Sequence, residues 1–143
     1  GRAAPQQGRF LEGGGLMAYL NLDDNYADHP KIIDLSDGAY RLHGSAMFYS
    51  AKNLLDGFLS ERQMAGRVGF KAAALRELMD AELIHPKGTG CGTKTCPEGR
   101  SGRYLLHDYL QWNKSREWWE AKRKKDAERI AEWRESRREN DGE

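Results

Sequence analysis

The chain has 143 residues, 38% hydrophobic and 31% charged, with a formal net charge of +1. Such a length and balance describe one compact domain with a modest core plus an extension, and no stretch approaches the roughly 18 consecutive apolar residues of a membrane span. The strongly basic footprint of many nucleic-acid-binding proteins is absent from the whole-chain balance and has to be sought locally. Two cysteines without a recognisable secretion signal favour a reducing compartment over a structural disulfide.

Residues 1–16 (GRAAPQQGRFLEGGGL) carry little apolar periodicity and end in three glycines. They read as a leader or expression-derived segment, disordered and outside the fold. Residues 17–22 (MAYLNL) alternate enough for a short strand beside a later hairpin. Residues 23–31 read as a polar loop closed by His29-Pro30, and Pro30 biases His29 away from helical angles, so a helix is expected after it. Ser36 is a good N-cap for a long helix in which Ala39, Leu42, Ala46 and Met47 share a face, widened by Phe48, Tyr49, Leu54 and Leu55.

Asp56-Gly57 marks a turn into a second helix. Ser60 and Gln63 form a capping box at its start, and Gly66 and Gly69 end it after about two turns. The next helix is expected over Lys71 to Glu82, with Ala74, Leu75, Leu78 and Met79 inward and Phe70, Ala73, Glu77 and Asp80 outward. Two short helices joined by a glycine turn make a helix-turn-helix unit. A glycine-rich hairpin over His85 to Arg103, with Tyr104 to Leu110 returning as its second strand, makes the winged variety. The expected fold is therefore mainly α with a small β-hairpin (α+β): a winged helix-turn-helix domain over residues 17–113, then a charged C-terminal helix or tail over residues 114–143.

Recognition helices present their N-terminal residues to base edges, which selects Lys71, Ala72 and Arg76, with Phe70 and Ala73 beside them. Glu77 and Asp80 would oppose phosphates. In the wing, Lys87, Lys94, Arg100 and Arg103 against Glu98 give a local excess of positive charge, suited to following a phosphate backbone. The bland alternative is a solvated basic loop.

The same loop carries His85, Cys91, Cys96 and His107 with the spacing H-x5-C-x4-C-x10-H. Thiolates and imidazoles at such spacing suit a structural Zn²⁺, and a long glycine-rich loop has little core to hold it otherwise. The alternative is a hydrogen-bonding His107 beside two free thiols in a flexible loop. Gly88 to Thr95 nearly spells a phosphate-binding loop, but Thr93 stands where glycine is needed and no helix is expected to follow. No nucleophile–base constellation emerges elsewhere, so neither enzymatic activity nor a small-molecule substrate is expected.

Beyond Asn113, Ser115 can cap a long helix rich in good helix formers. Trp119, Ile130 and Trp133 fall roughly on one side, too sparse for a heptad seam. Trp112 and Trp118 are expected to pack back on the domain. Lys122, Arg123, Lys124 and Lys125 could grip phosphates; Ile130 and Trp133 could dock a partner helix or a second copy; or the helix could be merely solvated.

The run DHPKIIDLSDGAYRLHGSAMFYSAKNLLDGFLS, the later LRELMDAELI and above all YLLHDYLQWNKSREWWEAKRKK resemble a family of small winged-helix proteins encoded by actinobacterial phages and prophages, described as helix-turn-helix or replication-initiation-like. The resemblance covers Met17 to about Lys125. It implies a winged-helix fold, double-stranded DNA as partner, a role in replication initiation or transcription regulation, and the cytoplasm of a bacterial host. The rival expectation is a protein-interaction module, with the winged helix as scaffold and the C-terminal helix binding a host or phage protein.

Overall fold

The computed structural model describes residues 18–142 and divides them into two units, residues 18–114 and a segment from Ser115 onward. The first is mixed α+β. Its elements, in chain order, are a 3₁₀ turn (Tyr26–Asp28), α1 (Pro30–Ile33), α2 (Asp37–Asn53), β1 (Phe58–Ser60), α3 (Glu61–Ala65), α4 (Ala72–Asp80), β2 (Ile84–His85), β3 (Arg103–Leu106) and α5 (Tyr109–Trp112). The three strands form one antiparallel sheet in the order β1-β3-β2, with Phe58 opposite Leu105 and Ile84 opposite Leu106.

The core follows the apolar periodicity. Ala39, Leu42, Ala46 and Met47 of α2 pack with Leu75 and Leu78 of α4, Met64 of α3, and Leu59, Ile84 and Leu106 of the sheet. Helix starts are capped as the side chains dictate. The Ser36 hydroxyl accepts from Ala39 N–H at 3.2 Å, and the Ser60–Gln63 capping box closes in both directions at 3.1 and 2.8 Å. The α2 end is set by Leu54, left-handed at φ 52°, so that Leu55 N–H reaches the Ser50 carbonyl at 3.0 Å.

Several expectations are corrected. No strand forms at the start: Met17 lies outside the described residues, and 18–22 are irregular. The buried Asn113 side chain takes both backbone groups that Asn21 would offer a ladder, accepting its N–H at 2.8 Å and donating to its carbonyl at 3.2 Å. The third strand is instead Phe58–Ser60, too short for its alternation to stand out. Residues 23–31 are not a simple loop, because Pro30 sits at the first turn of α1, where its missing N–H costs nothing.

Helix α4 is shorter than the expected 71–82. Glu82 adopts a left-handed conformation (φ 59°), and Leu83 N–H bonds the Leu78 carbonyl at 2.9 Å, closing the helix early. Phe70 is not outward but packs against the core. Glu77 is not directed at an external phosphate; it accepts from Ser36 N–H at 2.7 Å and from its hydroxyl at 2.8 Å, anchoring the start of α2. The returning strand stops at Leu106 rather than Leu110, because Asp108 turns left-handed (φ 53°) and α5 follows.

One titratable group is sealed in this core. His43 of α2 is 6% exposed and its Nδ1 is bonded to the Tyr26 hydroxyl, whose ring stacks on the imidazole. Burial lowers the His43 pKa to about 4 and raises that of Tyr26. The unfolded chain therefore binds a proton that the folded one refuses between pH 6.5 and about 4. The stability His43 contributes is full above pH 6.5 and is lost as pH falls toward 4, on the order of 3 kcal/mol. Chemical denaturation of the wild type and His43→Gln across this window should show a steeper acid loss in the wild type.

The second unit is α6 (Arg116–Asp141). Ser115 accepts from Trp118 N–H at 3.1 Å, and Arg116–Glu120 and Lys122–Asp126 form i,i+4 pairs at 2.8 Å. Its buried residue is Trp119, edge-on to Trp118. Trp112 and Trp118 are 51% and 41% exposed.

Candidate metal centre

The loop between β2 and β3 is folded around four side chains from three places. His85 closes β2, Cys91 and Cys96 lie in the loop, and His107 follows β3 at the strand's exit. Their ligand atoms all lie within 4.8 Å of one another. His85 Nε2 is 3.0 Å from His107 Nδ1, 3.5 Å from Cys91 Sγ and 3.2 Å from Cys96 Sγ, and Cys91 Sγ is 3.5 Å from His107 Nδ1. A tetrahedral ion with bonds of about 2.0–2.1 Å to nitrogen and about 2.3 Å to sulfur sets donor separations of about 3.3–3.8 Å. The four groups could hold a metal ion with little movement.

Close backbone approach shapes this loop. A Cβ on Gly90 would lie 2.1 Å from the Pro97 carbonyl oxygen, and one on Gly99 would lie 2.3 Å from that of Gly88, so only glycine fits at either place. Thr93 and Cys96 close a tight turn, with Thr93 N–H on the Cys96 carbonyl at 2.7 Å and Cys96 N–H on the Thr93 hydroxyl at 3.0 Å. Cys96 is fully buried with Phe58 and Leu105, while Cys91 is exposed. Both are free thiols, and that of Cys96 is buried rather than open to solvent.

The surroundings favour neutral imidazole and an oriented ring. Burial, and then the neighbouring His107, lowers the His85 pKa. The Cys91 thiol is raised, first by its hydrogen bond with Cys96 and then by desolvation; a bound cation would invert that preference and favour thiolate. His107 points Nδ1 at the cluster and Nε2 at Asp108 Oδ2, 3.2 Å away. The other Asp108 oxygen accepts from the Thr95 hydroxyl at 3.0 Å, and Leu110 N–H reaches the Thr95 carbonyl at 3.3 Å. A carboxylate on the far nitrogen of a ligating histidine fixes its tautomer and raises its basicity. Spacing alone did not single out Asp108 or Thr95; the signal was the acid immediately after His107.

The expected nucleic-acid contacts divide into engaged and exposed residues. Lys71, Ala72 and Arg76 are exposed at and beyond the start of α4. Lys87, Lys94 and Arg100 of the loop and Arg103 at the start of β3 are all exposed; Lys87 pairs with Glu61 at 3.2 Å and the Arg100 guanidinium stacks over Phe58 at 4.1 Å. On α6, Lys122 pairs with Asp126, and Arg123, Lys124 and Lys125 are exposed. Ile130 and Trp133 are 46% and 58% exposed on the same helix. No helix of the described residues is long and apolar enough to cross a membrane.

Comparison with protein-family models, curated proteins and solved structures found no match.

If Asp108 orients His107 for a metal, Asp108→Asn should weaken metal affinity about 10- to 100-fold in competition with a chromophoric chelator, with the stoichiometry of one ion per chain unchanged.

Proposed function

We propose that residues 18–114 form a winged-helix, non-enzymatic double-stranded DNA-binding domain whose wing is clipped by a structural Zn²⁺ on His85, Cys91, Cys96 and His107. The observation that carries this is the order helix, strand, helix, helix, strand, loop, strand, with β3 between β1 and β2. In that arrangement α4 is the recognition helix and the β2–β3 loop is the wing. Lys71, Ala72 and Arg76 at the start of and along α4, with Lys94 of the loop and Arg103 at its return into β3, are exposed residues that could meet a duplex. The engagement of Glu77 by Ser36 supports the reading, because it turns toward the start of α2 a carboxylate that the helical wheel would otherwise aim outward.

The donor set fits zinc best. Two thiolates and two imidazoles in a closed tetrahedron satisfy a borderline-soft ion without d-electron preference, and leave no open position for catalysis. Bound there, the ion would join the ends of both wing strands to the loop between them. The phage winged-helix resemblance agrees with DNA as the partner, with replication initiation or transcription control as the role. The rival, a scaffold that binds another protein through α6, is favoured by the exposed Ile130 and Trp133.

A duplex-binding titration tests this reading. Affinity should fall steeply between roughly 50 and 200 mM salt, and Lys94→Ala with Arg103→Ala should lower the salt slope by about two phosphate contacts. Chelation should weaken binding by loosening the wing. Absence of binding at low salt would reject the DNA reading, and a zinc content near zero in purified protein would reject the metal.

A further inference from the structure

The four donors of the loop cluster differ in where they are anchored and in what reaches them. His85 ends β2 and His107 follows β3, whereas Cys91 and Cys96 both belong to the loop between those strands. Cys91 is exposed and Cys96 is buried against Phe58 and Leu105. Their sulfurs nevertheless lie within 4.8 Å and share a hydrogen bond. An open thiol beside a shielded one is the arrangement of an oxidisable pair, in which the first meets the oxidant and the second resolves it.

The connectivity gives that pairing a consequence. Gly92, left-handed at φ 76°, turns the chain directly after Cys91, and a bond from Cys91 to Cys96 closes a ring wholly inside the loop. A metal ion ties both strands to the loop; a disulfide ties the loop only to itself. Two imidazoles are half of a tetrahedral set, too few to retain the ion once both sulfurs have left it.

We propose that Cys91 and Cys96 make the loop a peroxide-sensitive switch, in which a Cys91–Cys96 disulfide releases the metal ion and frees the loop from β2 and β3. The switch rests on the metal centre proposed above and does not require the DNA reading. Metal binding supplies both sulfurs as thiolates, the nucleophilic form. The Cys91 thiolate attacks one oxygen of hydrogen peroxide; the S–O bond forms, the O–O bond breaks, and hydroxide leaves and is protonated. The Cys96 thiolate then attacks the Cys91 sulfur, forming the S–S bond and expelling the second oxygen as hydroxide, which is protonated in turn. Two electrons pass from sulfur to peroxide, two protons make two waters, and the charge of the ion is unchanged. Because Cys96 already touches Cys91, it intercepts the sulfenic acid before a second peroxide carries it further up the oxidation ladder.

The test exposes the full chain, reduced and then freed of reductant, to hydrogen peroxide beside a chromophoric zinc indicator. About one equivalent of peroxide should release the zinc, with a loss of two hydrogens that peptide mapping places between Cys91 and Cys96. Backbone hydrogen exchange across the loop should rise at the same point, and dithiothreitol with added zinc should reverse all three changes. Cys96→Ser should stop at a Cys91 sulfenic acid that dimedone captures. Cys91→Ser, equally short of one ligand, should oxidise at least about tenfold more slowly than Cys96→Ser, because its remaining thiol is shielded. Zinc retained under peroxide, disulfides formed between chains, sulfinic acids in place of the Cys91–Cys96 bond, or equal reactivity of the two variants would overturn the switch alone. A reduced chain that takes up no zinc would overturn the metal centre and the switch together.

Discussion

Strand β3 is the constraint on which the rest of the small domain depends. It is the central strand, it covers the core with Leu106 on one face and Leu105 on the other, and its exit delivers His107 to the loop cluster. The register of β3 against β2 therefore sets how far His107 lies from His85. A one-residue slip would turn every side chain of the strand to the opposite face, emptying the core and dispersing the four donors together. Sheet and cluster are in this sense a single structural decision.

The loop is held unusually tightly for its composition. Its apolar support is confined to Cys96 with Phe58 and Leu105, too little to offset the ordering entropy of a long glycine-rich segment. Hydrogen bonds through Thr93, Thr95 and Asp108 supply part of the difference. A metal ion joining four side chains would supply a larger share, since the free energy of binding to a site absent from the unfolded chain is folding free energy. The compact loop and the preset His107 tautomer are what such a site requires before the ion arrives.

Charge is distributed by local pairing more than by overall balance. Glu77 is consumed at the start of α2, Lys87 by Glu61, and Lys122 by Asp126. The cations left exposed at α4 and on the loop give a nearly neutral chain a locally positive surface. Surface ion pairs of this kind contribute little stability. Their consequence is to decide which charges remain available to a partner.

The sequence by itself determined the long amphipathic α2, the Ser36, Ser60 and Ser115 caps, the pair of short helices and the identity of the four candidate ligands. Each of these is a short-range matter of periodicity, capping chemistry or spacing, and so is written in neighbouring residues. Tertiary structure alone decided the rest. Strand β1 is too short to show a period and exists because β3 lies beside it. Asn113 reaches back to Asn21 and prevents the strand that local alternation suggested. Phe70 turns into the core, and Glu77 turns to Ser36, because α2 packs against α4. The spacing named His85, Cys91, Cys96 and His107 as a set, but only the antiparallel pairing of β2 with β3 brings the two histidines, distant in sequence, to 3.0 Å.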